Sequence, residues 1–142
     1  MGAITYIDNI VITPLARIPA SGGDVWHAFK QGDAGYCGFG EAYFSWVTAG
    51  SIKAWKRHAR MTMNIVVPVG QVRFVFTLDG TSFRIEEIGV AHYVRITVPN
   101  GVWFGFQGVA ESPSLVLNIA NIPHDPLEVE SLILSDINFD WR

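Results

Sequence analysis

The most strongly basic part of the chain is residues 52–70, IKAWKRHARMTMNIVVPVG, where Lys53, Lys56, Arg57 and Arg60 gather around His58. These are four of the ten Lys and Arg residues, and no Asp or Glu occurs between Glu41 and Asp79. Side chains of this kind can hold an anion, because ammonium and guanidinium groups donate charge-assisted hydrogen bonds to phosphate or carboxylate oxygens. The whole chain carries a net charge of −3, so the cluster is local and set against an acidic background. That contrast favours a small anionic ligand and gives no sign of nucleic-acid binding.

Such a cluster acts only if an element brings it to one surface. Read as extended chain, the stretch alternates with period two, placing Lys56, His58, Arg60, Thr62 and Asn64 on one face and Trp55, Met61, Met63 and Ile65 on the other. Cations backed by apolar side chains fit a polar cavity inside a β-structure. They also fit an ordinary solvated face. The rest of the chain is organised in the same way. Residues 3–12, 24–29, 41–47, 72–78, 83–89, 93–98, 102–106 and 115–119 are runs of β-branched and aromatic residues and are expected to be strands. Glu41, Tyr43 and Ser45 then share a face. Gly/Asp-rich residues 31–40 form a loop, Pro68 to Gln71, Asp79-Gly80 and Pro99-Asn-Gly101 form turns, and residues 123–131 are irregular or a short helical turn. With no long amphipathic helix, the pattern is that of an all-β sandwich or barrel in one domain, residues 1–142.

Other motifs are weaker. The four histidines, His27, His58, His92 and His124, show no metal-ligand spacing, so no metal is expected. Cys37 sits in a Gly-rich loop without a neighbouring base, and as the single cysteine it fits a reducing compartment such as the cytoplasm. No secretory leader or membrane-spanning run is expected. His124 and Asp125 could form a dyad or simply stabilise their loop. Trp103, Phe104 and Phe106 could stack on a sugar or base, or belong to the core. Charged residues are only 16 % of the chain, which points to buried surface beyond the core and so to a homodimer.

Several segments in order resemble one family. Residues 23–29 (GDVWHAF), 38–45 (GFGEAYFS), 52–64 (IKAWKRHARMTMN), 98–108 (VPNGVWFGFQG), 121–128 (NIPHDPLE) and 139–141 (FDW) have the layout of short cupins. Lys56, His58, Thr62 and Gly70 fall on the first cupin motif and Pro99, Gly101 and Phe104 on the second. Of the four usual metal ligands only His58 remains, which argues against a third reading, a metal-dependent cupin oxygenase. The chain therefore resembles the metal-free branch, the dTDP-4-dehydrorhamnose 3,5-epimerases and the related nucleotide-sugar 3,4-ketoisomerases.

The resemblance implies a cupin jelly roll, no cofactor, and a nucleotide-diphosphate sugar held inside the barrel. It implies a His base that takes a proton beside a C4 ketone, a cation that steadies the enolate, and an acid on the opposite face. On this chain His58 falls on the base, with Lys56 at the ketone or enolate oxygen, although a slid alignment puts the base on Lys56. Asp136 falls near the carboxylate that orients the base. Lys53 replaces an arginine before the motif, Glu41, Tyr43 and Ser45 fall on a polar inward strand, and Asn64 and Trp103 fall among substrate contacts. Arg60, Arg73 and Arg95 are candidate phosphate contacts. The chain departs from the family at Phe104, Leu117 and Gly22, where a His, the acidic Tyr and an Arg are expected. Two functions follow: isomerisation of a nucleotide-linked 4-keto-6-deoxy sugar, or non-catalytic binding of a sugar nucleotide or carbohydrate. A tyrosine such as Tyr43 or Tyr93 facing His58 would favour the enzyme, and a cavity of phenyl rings alone the binder.

Overall fold

Gly, Pro and Asp-Gly turns cut the chain into short runs of β-branched and aromatic residues, which pair as strands. A computed structural model describes residues 4–142. The strands are β1 (Val11–Pro14), β2 (Arg17–Ile18), β3 (Val25–Trp26), β4 (Glu41–Val47), β5 (Ile52–His58), β6 (Met63–Val69), β7 (Gln71–Thr77), β8 (Phe83–Gly89), β9 (Val94–Val98), β10 (Trp103–Gly108), β11 (Ser114–Ala120) and β12 (Val129–Ser131). Two antiparallel five-stranded sheets result, ordered β1-β9-β6-β11-β4 and β12-β5-β10-β7-β8, with β2 and β3 as a separate pair. This is the jelly roll of a cupin.

The inward side chains of the two sheets make the main core. Met63, Ile65 and Val67 of β6 and Val94, Ile96 and Val98 of β9 meet Phe74 and Phe76 of β7 and Phe104 of β10. A second apolar layer covers the far side of the second sheet. There Trp55, Val75 and Trp103 are buried under Ile137 and Trp141 of the C-terminal tail.

Four expectations change. Residues 129–131, expected within an irregular stretch, pair with β5 as β12. Ala3 of the expected first strand lies outside the described residues, and Ile7–Asn9 form a 3-10 turn, so β1 starts only at Val11. Asn9 causes the bend: its Oδ1 accepts from the Tyr6 N–H at 2.7 Å, a side-chain bond that replaces strand pairing. The expected strand 24–29 shortens to two residues: the His27 carbonyl accepts from the Tyr93 hydroxyl and the Ala28 carbonyl from Arg95, in place of strand pairing. The basic run is not one strand. It ends at His58, crosses between the sheets over residues 59–62, and resumes as β6.

Candidate active site

Strand β5 carries the reactive side chains, and a bulge sets their direction. Phe104 pairs with Lys56 but Gly105 pairs with Ala54, leaving Trp55 as an extra residue, and Phe106 then pairs with Lys53. Phe104 and Phe106 share a face of β10, so Lys53 and Lys56, three residues apart, also share one, together with His58. All three line a cavity of about 480 Å³ between the sheets, a size that suits a small-molecule ligand. Arg57 points the other way, pairing with Glu130 and lying over the Trp103 ring at 4.6 Å.

His58 is buried, and its Nδ1 meets Glu128 Oε2 at 2.6 Å. Glu128 is also buried, and its Oε1 accepts from the Arg60 and Met61 backbone N–H groups at 3.0 and 2.8 Å. Burial by itself would raise this carboxyl, but the hydrogen bonds from His58, Met61 and Arg60 outweigh it and hold the pKa below its ordinary value. Glu128 is thus an ionised acceptor. It fixes the proton on Nδ1 and leaves Nε2 as the basic nitrogen the ring can offer to the cavity. Phe104 stacks on the imidazole at 5.9 Å and 16° between planes, which holds the ring from its face.

The first sheet supplies the opposite wall. Tyr43 and Ser45 on β4 face the cavity beside Val116 and Asn118 of β11. Asn118 Nδ2 donates to the Tyr43 hydroxyl at 3.0 Å. Lys53 Nζ reaches across from β5 to donate to Ser45 Oγ at 3.1 Å and Trp46 O at 2.7 Å, joining the sheets at the cavity rim. Lys56 is exposed at the rim and pairs with no carboxylate among the described residues.

The cavity therefore gathers His58, Lys56, Lys53, Tyr43 and Ser45 from the expected set. Seven others lie elsewhere. Glu41 shares the inward face of β4 but pairs with Ala120 at the strand end, beyond the cavity. Asn64 accepts from Arg95 and Thr97 on the outer side of the first sheet. Arg95 is fully buried there, donating to Asn64, Ala28 O and Ala34 O, and burial lowers its pKa while Asp33 opposes that shift. Arg60 pairs with Asp125, Arg73 donates to Trp141 O under the C-terminal tail, and Trp103 lies in the second apolar layer. Asp136 accepts from the Ile133 N–H at 3.0 Å within a 3-10 turn, so the carboxylate on His58 is Glu128 instead. His124 lines the cavity mouth while Asp125 faces Arg60, so these two form no dyad. Tyr93 donates to His27 O and packs on Trp26, away from the cavity. Among the described residues no three His, Cys, Asp or Glu side chains gather as a metal site.

Glu128 and Asn118 were not picked out in the sequence. Glu128 ends the stretch NIPHDPLE, which carried part of the resemblance, and that is its only local signal. Asn118 interrupts the apolar run of residues 115–120 at an inward position, a polar residue where the core pattern calls for an apolar one.

A cupin barrel with a buried histidine–carboxylate pair opening on a cavity between its sheets has the parts needed to move a proton to or from a bound ligand. The chain is similar over 94 % of its length to a dTDP sugar isomerase from Desulfovibrio desulfuricans G20, with 34 % identity, 91 % of that chain covered and a TM-score of 0.87. It belongs to the dTDP-sugar isomerase family. More distant structures share the fold. A sugar 3,4-ketoisomerase from Thermoanaerobacterium thermosaccharolyticum in complex with TDP has 14 % identity and a TM-score of 0.75, with 88 % of this chain and 89 % of that one covered. A dTDP-6-deoxy-D-glucose-3,5-epimerase from Legionella pneumophila in complex with dTDP-4-keto-L-rhamnose has 15 % identity and a TM-score of 0.78, covering 96 % and 80 %. No family profile matches the chain, and no curated protein does.

Proposed function

We propose that the chain isomerises a nucleotide-diphosphate sugar carrying a 4-keto-6-deoxyhexose, by proton transfer at a carbon next to the ketone. The observation that carries this reading is the His58–Glu128 pair, buried at 2.6 Å on the wall of the cavity. His58 Nε2 takes the proton from carbon. The electron pair of that C–H bond moves to the ketone oxygen, and the enolate so formed is stabilised by the Lys56 ammonium. Glu128 holds the imidazolium that results. Reprotonation of the same carbon from Tyr43, on the other sheet, inverts it. Ketoisomerisation instead places the proton held by His58 on the former carbonyl carbon, while the hydroxyl proton of the first carbon passes to the former ketone oxygen, so that the ketone moves one carbon along. Lys53 is the cation at the rim for the diphosphate. The presence of Tyr43 in a cavity otherwise rich in phenyl rings favours an enzyme over a binding protein.

We read residues 1–142 as one domain, since both sheets close on one core. The lone Cys37 supports a reducing, cytoplasmic setting. No helix is long and apolar enough to cross a membrane, among the described residues. A homodimer is supported by Phe44 and Trp46, 64 % and 57 % exposed on the outer side of edge strand β4, where a second copy would cover them.

The test is deuterium uptake from D₂O into a dTDP-4-keto-6-deoxyhexose, read by mass and NMR. Exchange in the wild type that disappears in His58→Ala supports the reading, and the labelled carbon identifies the reaction. Calorimetric binding without exchange would replace the enzyme with a binding protein.

A further inference from the structure

Asn118 Oδ1 is buried and has no hydrogen-bond partner. Two other buried side-chain atoms share that state among the described residues, Gln107 Oε1 and Trp141 Nε1, but neither residue lines the cavity. Asn118 does line it, and only 4 % of the residue is exposed. Its amide nitrogen is engaged, donating to the Tyr43 hydroxyl at 3.0 Å and towards Met61 Sδ at 3.9 Å. These contacts fix the amide plane and leave its carbonyl oxygen without a donor, beside Met61, Met63 and Val116 on an apolar stretch of the wall. A buried acceptor left in this state is unfavourable until something donates to it. The Tyr43 hydroxyl, which accepts from Asn118, keeps its own proton free to donate.

We infer that Asn118 forms a hydroxyl-reading station on the wall opposite His58. Its Oδ1 accepts from one ring hydroxyl of the sugar, while its amide N–H holds the Tyr43 hydroxyl beside it. Asn118 is then a specificity-determining residue: it selects sugars that carry a free hydroxyl at that carbon and disfavours those in which it is missing or alkylated. An acceptor of this kind discriminates because the analogue leaves it unpaired. The inference rests on the nucleotide-sugar reading above.

Its test separates binding from chemistry. Affinities for dTDP-4-keto-6-deoxyglucose and for its 2-deoxy and 3-deoxy analogues would be measured by calorimetry on wild type, Asn118→Leu and Asn118→Asp, with deuterium exchange run in parallel. In the wild type one deoxy analogue binds roughly tenfold to a hundredfold more weakly than the parent. Asn118→Leu removes that ratio by weakening the parent alone, while Asn118→Asp, which keeps an acceptor in place, retains it. A ratio is insensitive to a general loss of folded protein, and Asn118→Asp provides a second reading should Asn118→Leu fold poorly. Equal affinities in the wild type, or a ratio that survives in Asn118→Leu, would overturn the inference. Selective binding without exchange would leave it standing while the isomerase reading fails. No binding of any of the three sugars would overturn it outright.

Discussion

Glu128 makes three hydrogen bonds with two oxygens, so replacing one oxygen affects both the base and the chain around it. Glu128→Gln puts an NH₂ where an acceptor is needed, and either His58 Nδ1 or a backbone N–H loses its partner. The expected result is a fall in deuterium exchange of roughly 10²- to 10⁴-fold, the range of a disabled acid–base pair. Stability should also drop, by roughly 1–3 kcal/mol for a buried donor left unpaired. Chemical denaturation alongside the exchange assay reads both effects. His58 was legible in the sequence because its type and its basic neighbours mark it. Glu128 was not, since it lies 70 residues away and a carboxylate after a Pro-rich loop looks like any solvated acid. The loose placement of that role on Asp136 failed for the same reason: nothing local tells which distant carboxylate folds back.

At the level of elements, the alternation over residues 52–70 located the reactive face but missed the break within it. Lys56 and His58 share a face as period two requires. The Trp55 bulge adds Lys53 to that face, and the crossing at residues 59–62 removes Arg60 and Asn64 from it. That crossing is held by Glu128 and by Asn121 Oδ1, which accepts from the Thr62 N–H at 2.7 Å, both long-range contacts invisible to a local pattern. Arg95, a candidate phosphate contact, instead ties the loop at residues 28–34 to the first sheet. Arg95→Met should cost roughly 2–4 kcal/mol by stranding the Ala28 and Ala34 carbonyls, while Asn64 Oδ1 keeps Thr97 as donor. It should leave KM of the folded protein unchanged, whereas a phosphate contact would raise KM. The Asp79-Gly80 turn, legible from the sequence, provides a pH test. Backbone hydrogen bonds from Ser82 and Thr81 lower the Asp79 pKa from 3.8 to about 2. A depressed carboxylate stabilises the fold above its unfolded value, and the gain is lost as pH falls through the folded one. Asp79→Asn should therefore lower Tm near neutral pH, and the gap to wild type should close between about pH 4 and pH 2.

For the whole molecule, an all-β sandwich or barrel was readable from turn spacing and strand composition, because each hairpin announces itself locally. The pairing order of two sheets is set by contacts far apart in sequence, and only the family resemblance anticipated it. Assembly belongs to this scale too. If β4 meets a second copy, Phe44→Lys with Trp46→Lys should halve the mass seen by sedimentation, at unchanged strand content by circular dichroism. Tyr43 and Ser45 sit on the inner side of the same strand, so a lost interface should also raise KM. A wild-type protein that sediments as a monomer would refute the dimer.

The Glu128 carboxylate also gives the protein two built-in reporters. The Arg60 and Met61 amides donate to the same carboxylate that receives His58 Nδ1. An amide proton on a charged acceptor resonates where that charge places it, and protonating the carboxylate changes the field at both. In a ¹⁵N-resolved spectrum these two cross-peaks should move together as acid neutralises Glu128, at a pH below the ordinary carboxylate range, without ligand, substrate or turnover. In His58→Ala the same peaks should move at a higher pH, because one of the bonds that lowers that carboxyl is gone.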